Sequence, residues 1–506
     1  MPDFFIALHA DDNVLVARQA VPKGTSINGA ACCTREAIPF GHKVARTTIS
    51  AGAPVVKYGQ VIGFAHGVIQ AGQHVHTHNV TIKDFTRRPA ASAAPTLEAP
   101  DEAPADTTFR GILRADGQVA TRNYLGVIST VNCSASVVRM AARAMQTRLR
   151  DQYPAVDGVV PLCHGQGCDG ATEGPAFDNL LHSICGYARH PNFAGVVIIG
   201  LGCEIMRLET IMEQLSGGVD KPLHGFCIQD VGGSAAAVDK AVDLLKDMLP
   251  AAADVVRRDV PLHRLKLGLQ CGGSDACSGI SANPALGKAV DGLIHAGAAV
   301  VMGETPEAFG AEHLLYRRAV RPAVAEKLAA RLEWWRRYAA DHGVALDNNP
   351  SPGNRAGGLT NIIEKSLGAV AKGGSTPLTA VLDYARPIAG HGLQMMDSPG
   401  YDPSSITGMI AGGAHLICFT TGRGSVLGTK PAPVIKLTTH TDLYRRMQKD
   451  MDINCGTIID GTADVDQVGQ KILNSIIAAA SGEKTKSERA GMGDDEFVPW
   501  HLGTVL

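Results

Sequence analysis

Aromatic residues are scarce in this 506-residue chain, at 5% of the total, and neither sign of charge is in excess. Forty-seven basic residues face 49 acidic ones, for a formal charge of -2. There is no basic stripe and no interleaving of basic and aromatic residues, so nucleic acid is not an expected partner. No apolar run reaches the roughly 18 residues needed to cross a bilayer. The opening MPDFFIALHADD lacks a basic stretch followed by an apolar one, so the expectation is a cytoplasmic protein with no membrane segment. Twelve cysteines spread over this length do not make a disulfide framework; they read as thiols, available as ligands or as small core residues. What the chain has instead is glycine, 57 residues of it, which suits loops whose backbone approaches a small ligand closely.

The length predicts several folding units. Residues 1–85 are short β-like runs (FFIALH, NVLVARQAV, HKVARTTI, PVVKYGQVIGFA, HVHTHNVTI) separated by turn chemistry, which predicts a small all-β domain. Residues 86–108, rich in Ala and Pro, predict a semi-rigid linker. From 109 to 260, apolar runs ending in glycine loops alternate with helical patterns, as in a mostly parallel sheet covered on both faces. A second α/β domain, the catalytic one, is expected from 261 to 506. It includes one long helical run, EHLLYRRAVRPAVAEKLAARLEWWRRYAADHG.

Three strand-like runs end in Cys133, Cys168 and Cys203. In an open α/β sheet such positions face the ligand crevice, and three thiolates suit a soft metal or an iron–sulfur cluster. His164 and Glu204 sit beside them. A fourth loop, GLQCGGSDACSGISANP, offers the backbone of Gly272 and Gly273 with Ser274 and Asp275 to a carboxylate. It has neither the GK[ST] of a phosphate loop nor the GxGxxG of a dinucleotide site. In HVHTHN, His74, His76 and His78 recur at period two, so on a strand they share one face and suit a divalent metal. Arg423 in TTGRGS and Lys430 in GTKPAP are cations suited to a substrate carboxylate. Lys365 and Lys372 flank EKSLGAVAKGG, where burial can tune a lysine into a base.

Taken together, GHKVA, KYGQVIG, ADGQVATRNYLG, VNCSA, GLGCE, LQCGGSDACSGISANPALG, NPSPGNRAGGLTNIIEKSLGAVAKGG, DSPGYDPSS, CFTTGRGS and MDINCGTIIDGTA resemble the altronate/galactarate dehydratase family over nearly the whole chain. The resemblance implies an SAF-type β-clip domain at the N-terminus followed by a larger catalytic part. It implies dehydration of an aldonic or aldaric acid to a 2-keto-3-deoxy acid with Fe2+, for which Mn2+ and an iron–sulfur cluster are the alternatives. The histidine triplet and the DDEFVPW ending resemble the altronate-type members; Cys163 and Asp169 in LCHGQGCDG depart from that pattern. Two metal readings stay open: His76 and His78, or Cys133, Cys168 and Cys203. The candidate proton-transfer residues are His9, His42, His164, Lys365 and Lys372. The expected partner is a small sugar acid, the expected assembly a homo-oligomer, in the first instance a dimer. Galactarate or another acid as substrate, a sulfo-acid lyase of the same family and a sugar-acid-binding protein without turnover are the competing readings.

Overall fold

The computed structural model describes residues 4–27, 32–83, 107–149 and 152–502. The linker expected at 86–108 lies outside the described residues as far as Asp106, and Thr108 already opens a strand.

The N-terminal part is all-β, with two small antiparallel sheets. One runs in the order β1 (Phe5–Ile6), β2 (Val14–Ala17), β3 (Lys43–Ala45), β6 (His74–Val75); the other is β4 (Pro54–Lys57), β5 (Gln60–Ala65), β7 (Val80–Thr81). The β4–β5 hairpin turns through Tyr58 and Gly59, both at positive φ (62 and 65), with Lys57 paired to Gln60. This is the twist that matches a two-residue hairpin. The histidine run does not form the expected single strand. β6 stops at Val75, because the Asn79 carboxamide closes a turn: Oδ1 accepts the His76 N–H at 2.9 Å and Nδ2 donates to the His74 carbonyl at 2.8 Å. Asparagine side chains compete with strand ladders in this way.

A three-stranded antiparallel sheet, β14 (Arg257–Pro261), β8 (Thr108–Leu113), β9 (Val119–Ala120), joins the two α/β parts. The first of these has a four-stranded parallel sheet, β11 (Gly158–Leu162), β10 (Tyr124–Ser129), β12 (Phe193–Gly200), β13 (Leu223–Cys227). The second has seven parallel strands in the order β17 (Leu378–Leu382), β18 (Gly392–Met396), β16 (Ala299–Met302), β15 (Lys266–Cys271), β19 (Leu416–Thr421), β20 (Val434–Thr438), β21 (Ile453–Asn454). Chain order moves from β15 to one side, through β16 to β18, and then returns to β19 on the other. The carboxyl ends of β15 and β19 therefore form a switch point, where open α/β sheets bind ligands. The long helical run is two helices, Glu312–Tyr316 and Pro322–Asp341, since Pro322 cannot continue a helix and instead starts one.

One buried hydrophobic cluster includes Val55, Ile62 and Val75 of the small domain together with Ile362, Ile363 and Leu367 of the helix Ile362–Val370. The small domain is thus docked on the seven-stranded part. Among the described residues, no helix is long and apolar enough to cross a membrane.

Candidate active site

Docking brings two groups of side chains together at the glycine loops. In the first, the ligand atoms of His42, His74 and His76 all lie within 4.8 Å of one another. His42 Nδ1 is 2.9 Å from His74 Nε2, and its other nitrogen is 3.3 Å from the carbonyl of Ala356, in the polar loop NNPSPGNRAGG of the opposite domain. A backbone carbonyl of this kind fixes the orientation of a ligating imidazole. Burial pushes His74 down to about 4 and His76 down to about 3, and it lowers His42 as well. The rings are therefore neutral at neutral pH. His76 Nδ1 is buried with no hydrogen-bond partner.

His78 is not in this group: it lies within the turn that Asn79 closes, is exposed, and makes a ring contact with His74 at 5.3 Å. His42, expected to transfer protons, takes its place among the possible ligands. His9 is elsewhere, half exposed, accepting the Asp11 N–H at 3.2 Å.

The second group lies at the carboxyl ends of β15 and β16. The ligand atoms of Cys271, Glu304 and Glu307 lie within 4.8 Å of one another, and both lysines expected as bases enter it. Lys365 Nζ donates to Glu307 Oε1 at 2.5 Å and to Asn349 Oδ1 at 2.8 Å; Lys372 Nζ donates to Cys271 Sγ at 3.0 Å and is 3.9 Å from Glu304 Oε2. Burial works to lower both lysines, but Glu307, Glu304 and Cys271 outweigh it, and both are held above the ordinary range. They are fixed cations, which corrects the expectation that burial makes them bases. The Cys271 thiol is pushed up to about 12 by burial.

Glu304 itself is 2% exposed and adopts φ 62, ψ 62, a left-handed backbone that costs a glutamate on the order of 1–3 kcal/mol. The end of β18 holds it there. The Glu304 N–H donates to Ser398 Oγ at 2.7 Å, and Thr305 Oγ1 donates to Asp397 Oδ1 at 2.6 Å. Burial and the neighbouring Glu307 carboxylate raise Glu304, while the lysines lower Glu307 against its burial.

Between the two groups the glycine loop is a frame more than a set of ligands. Asp275 is buried and accepts from Ser278 and from Thr439 Oγ1 at 2.9 Å, tying the loop to the end of β20. Ser274 is buried, and its carbonyl accepts from Asn354 at 2.8 Å. Gly272 and Gly273 do stand at the switch point. The Gly273 carbonyl accepts the N–H groups of Gly422 and Arg423, and the Arg423 side chain is exposed beside it. Lys430 is turned away and paired with Asp494 at 2.7 Å.

Cys133, Cys168 and Cys203 are exposed on loops of the four-stranded part. Among the described residues their sulfurs do not join any ligand set within 4.8 Å, the closeness a single ion requires. The loops that carry them follow three adjacent parallel strands and touch one another, the Cys168 carbonyl accepting the Ile205 N–H at 3.2 Å and the Gln166 carbonyl the Asn132 N–H at 2.9 Å. His164, buried on the loop after β11, borders a cleft of about 650 Å³ whose walls include Asn132, Arg139, Gln166 and Phe497 and neither of the groups above.

The residues that sequence reasoning missed are Glu304, Glu307, Glu364 and Asp402. Glu364 and Asp402 lie in stretches noticed for other reasons, and pairing of the strands places Glu304 and Glu307 at the end of the sheet.

Comparison with known proteins agrees with this architecture. The Altronate/galactarate dehydratase SAF domain matches residues 3–83. The D-galactarate dehydratase/Altronate hydrolase second domain matches 111–253, and the D-galactarate/Altronate dehydratase C-terminal domain matches 262–505. The chain is 34% identical over 487 residues to an altronate dehydratase of Bacillus subtilis (strain 168), covering 96% of each. It is 34% identical over 490 residues to an altronate dehydratase of Escherichia coli (strain K12), covering 96% of this chain and 97% of that one. It is 35% identical over 507 residues to a galactarate dehydratase (L-threo-forming) of the same organism, covering 97% and 95%. From the β-clip domain to the seven-stranded sheet, the chain belongs to the altronate/galactarate dehydratase family and is an enzyme of the hydro-lyase type.

Proposed function

We propose that this enzyme removes water from a six-carbon sugar acid, D-altronate, to give a 2-keto-3-deoxy acid, with a divalent iron held by His42, His74 and His76. The observation that carries the reading is the imidazole trio, held against Ala356 at the edge of the glycine loops. The donor set fits a first-row dication: three neutral nitrogens, one of them an orphaned buried atom, with imidazole a good match for Fe2+. Cys271, Glu304 and Glu307 fit less well, because Lys365 and Lys372 already supply two positive charges there. Iron bound at the trio supplies a Lewis acid for carboxylate and hydroxyl oxygens.

The chain's own residues do the rest. Lys365 and Lys372 stand as ammonium donors beside Glu307 and Cys271, where they can meet an anionic group of the substrate. Arg423, exposed beside Gly273, is placed to meet a carboxylate at the mouth of the site. Asp275 and Asn354 hold the loops so that this constellation is in place before substrate arrives. The similar identities to altronate and galactarate dehydratases favour testing galactarate as the second substrate.

The test is anaerobic incubation of the iron-loaded enzyme with hexonates, pentonates and hexarates, assayed for 2-keto-3-deoxy products. Altronate is expected to be the best substrate; preference for galactarate would replace it. Binding of an acid without turnover would sink the reaction. Iron analysis with acid-labile sulfide measured on the same sample decides between a single ion and a cluster.

A further inference from the structure

Fixing both lysines as cations leaves the reaction without a base, and the site contains one other group able to serve. We propose that Asp402 takes the C2 proton of the sugar acid, a role that rests on the dehydration reading above. Asp402 begins the helix Asp402–Ala411 at the open end of β15, and it is partly exposed where Glu304 and Glu307 are buried. Gln270 Nε2 donates to its Oδ1 at 2.7 Å, which fixes the plane of the carboxylate. Its Oδ2 lies against the backbone of Gly272, so closely that a Cβ on residue 272 would collide with it and with the Phe419 ring. Here glycine is required by close approach, not by its φ.

The charge around Asp402 suits the task. Gln270 faces it from β15, Glu304 and Glu307 from the loop after β16, and Lys365 and Lys372 from the helix Ile362–Val370 and the turn that follows. Burial pushes its carboxyl up to about 6; Glu307 adds to the rise, while Gln270 and the lysines oppose it. A carboxylate near 6 is ionised at pH 7 yet basic enough to accept a proton, the compromise that general bases require. None of the other groups of this cluster meets both conditions: the Lys365 and Lys372 ammoniums hold their protons, Glu307 is bound by Lys365, Glu304 is buried and raised well above the ordinary carboxylate range, and the Cys271 thiol is protonated.

The step balances within the site. Asp402 forms an O–H bond as the C2–H bond breaks, and that electron pair becomes the C2–C3 double bond as the C3–O bond breaks. The proton then passes from Asp402 to the departing hydroxide, which leaves as water. The enol so formed tautomerises to the 2-keto acid, with no oxidant or reductant consumed.

The experiment compares wild type, Asp402→Asn and Gln270→Leu, iron-loaded and anaerobic, on the acid that wild type converts. Asp402→Asn is expected to lower kcat by roughly 100-fold or more, the span of general-base catalysis. Its KM and iron content stay near wild type, and the acid limb of its pH profile near 6 disappears. Gln270→Leu, which keeps the carboxylate but removes the hydrogen bond that lowers it, is expected to move that limb to higher pH. It therefore carries the test if Asp402→Asn does not fold. Undiminished kcat in Asp402→Asn, or an acid limb unmoved in Gln270→Leu, overturns the role of Asp402 and leaves the dehydration standing. Absence of product from wild type with every acid removes both.

Discussion

Lys57 and Glu364, 307 positions apart in sequence, meet at 2.8 Å with neither side chain exposed to water. Lys43 joins them, its ammonium 2.9 Å from the other carboxylate oxygen and 2.8 Å from the Gly358 carbonyl. The two lysines come from different sheets of the small domain and converge on the first turn of the helix Ile362–Val370. Asn361 caps that helix with its Oδ1 and reaches back to Ile62 with its Nδ2. The next residue, Lys365, points to Glu307. One helical turn therefore anchors the β-clip domain and braces the acid–base cluster.

Removing one member of this triad leaves buried charge unpaired. Glu364→Gln is expected to destabilise the protein by about 3–5 kcal/mol, the usual cost of breaking a buried ion pair. Urea unfolding followed by circular dichroism measures it, and a change below about 1 kcal/mol would contradict the role given to the triad.

Iron binding separates the histidines. His74→Ala and His76→Ala are expected to weaken Fe2+ binding on the order of tenfold or more, while His78→Ala and Cys168→Ser leave it unchanged. Metal content after anaerobic loading and desalting reads the result. Loss of iron in Cys168→Ser with His76→Ala unaffected would move the site to the thiol loops.

Acid is expected to destabilise the fold through its buried histidines. His190 Nε2 is 3.1 Å from the Ala414 carbonyl, and its Nδ1 accepts the Asn192 N–H. Burial pushes its pKa down to about 3 from an ordinary 6.5. Between those values the unfolded chain binds the proton that the folded chain refuses. Stability is therefore full above about 6.5 and falls as pH drops toward 3, by on the order of 4 kcal/mol for this residue. His164, pushed down to about 4, acts with the same sign. Unfolding free energies measured at pH 7, 5.5 and 4.5 should decline in that order, and less steeply in His190→Gln.

Arg122 is a strut between the four-stranded part and the C-terminal segment. Its guanidinium, 1% exposed, grips Glu488 with Nε at 2.6 Å and Nη2 at 2.9 Å and also donates to the carbonyls of Ala479 and Glu483. A lysine cannot reproduce this fork, so Arg122→Lys is expected to cost about 3 kcal/mol in thermal or urea unfolding.

Local chemistry made much of this legible. The apolar run ending at Cys271 marks a parallel strand, whereas PVVKYGQVIGFA reads as one β-like run and is a hairpin, because Tyr58 and Gly59 both take positive φ. The loops QCGGSDA, NNPSPGNRAGG, DSPGYDPSS and TTGRGS stand out in the sequence as polar and rich in glycine or proline, without showing where they meet. The failures have equally local causes. Period two suggested that His76 and His78 share a face, but Asn79 closes a turn over them and the strand stops at Val75, before both. Burial suggested basic lysines at 365 and 372, but their anionic partners come from strands more than 50 residues away.

The β-clip and α/β elements, the glycine loops and the family can be read along the chain, because turn residues, apolar periods and long motifs act over short stretches. Which histidines face one another, that Lys365 and Lys372 keep their protons, and that Asp402 stands partly exposed beside Gly272 emerge with the folded chain alone. Those properties depend on distance, burial and neighbouring charge among residues that folding alone brings together.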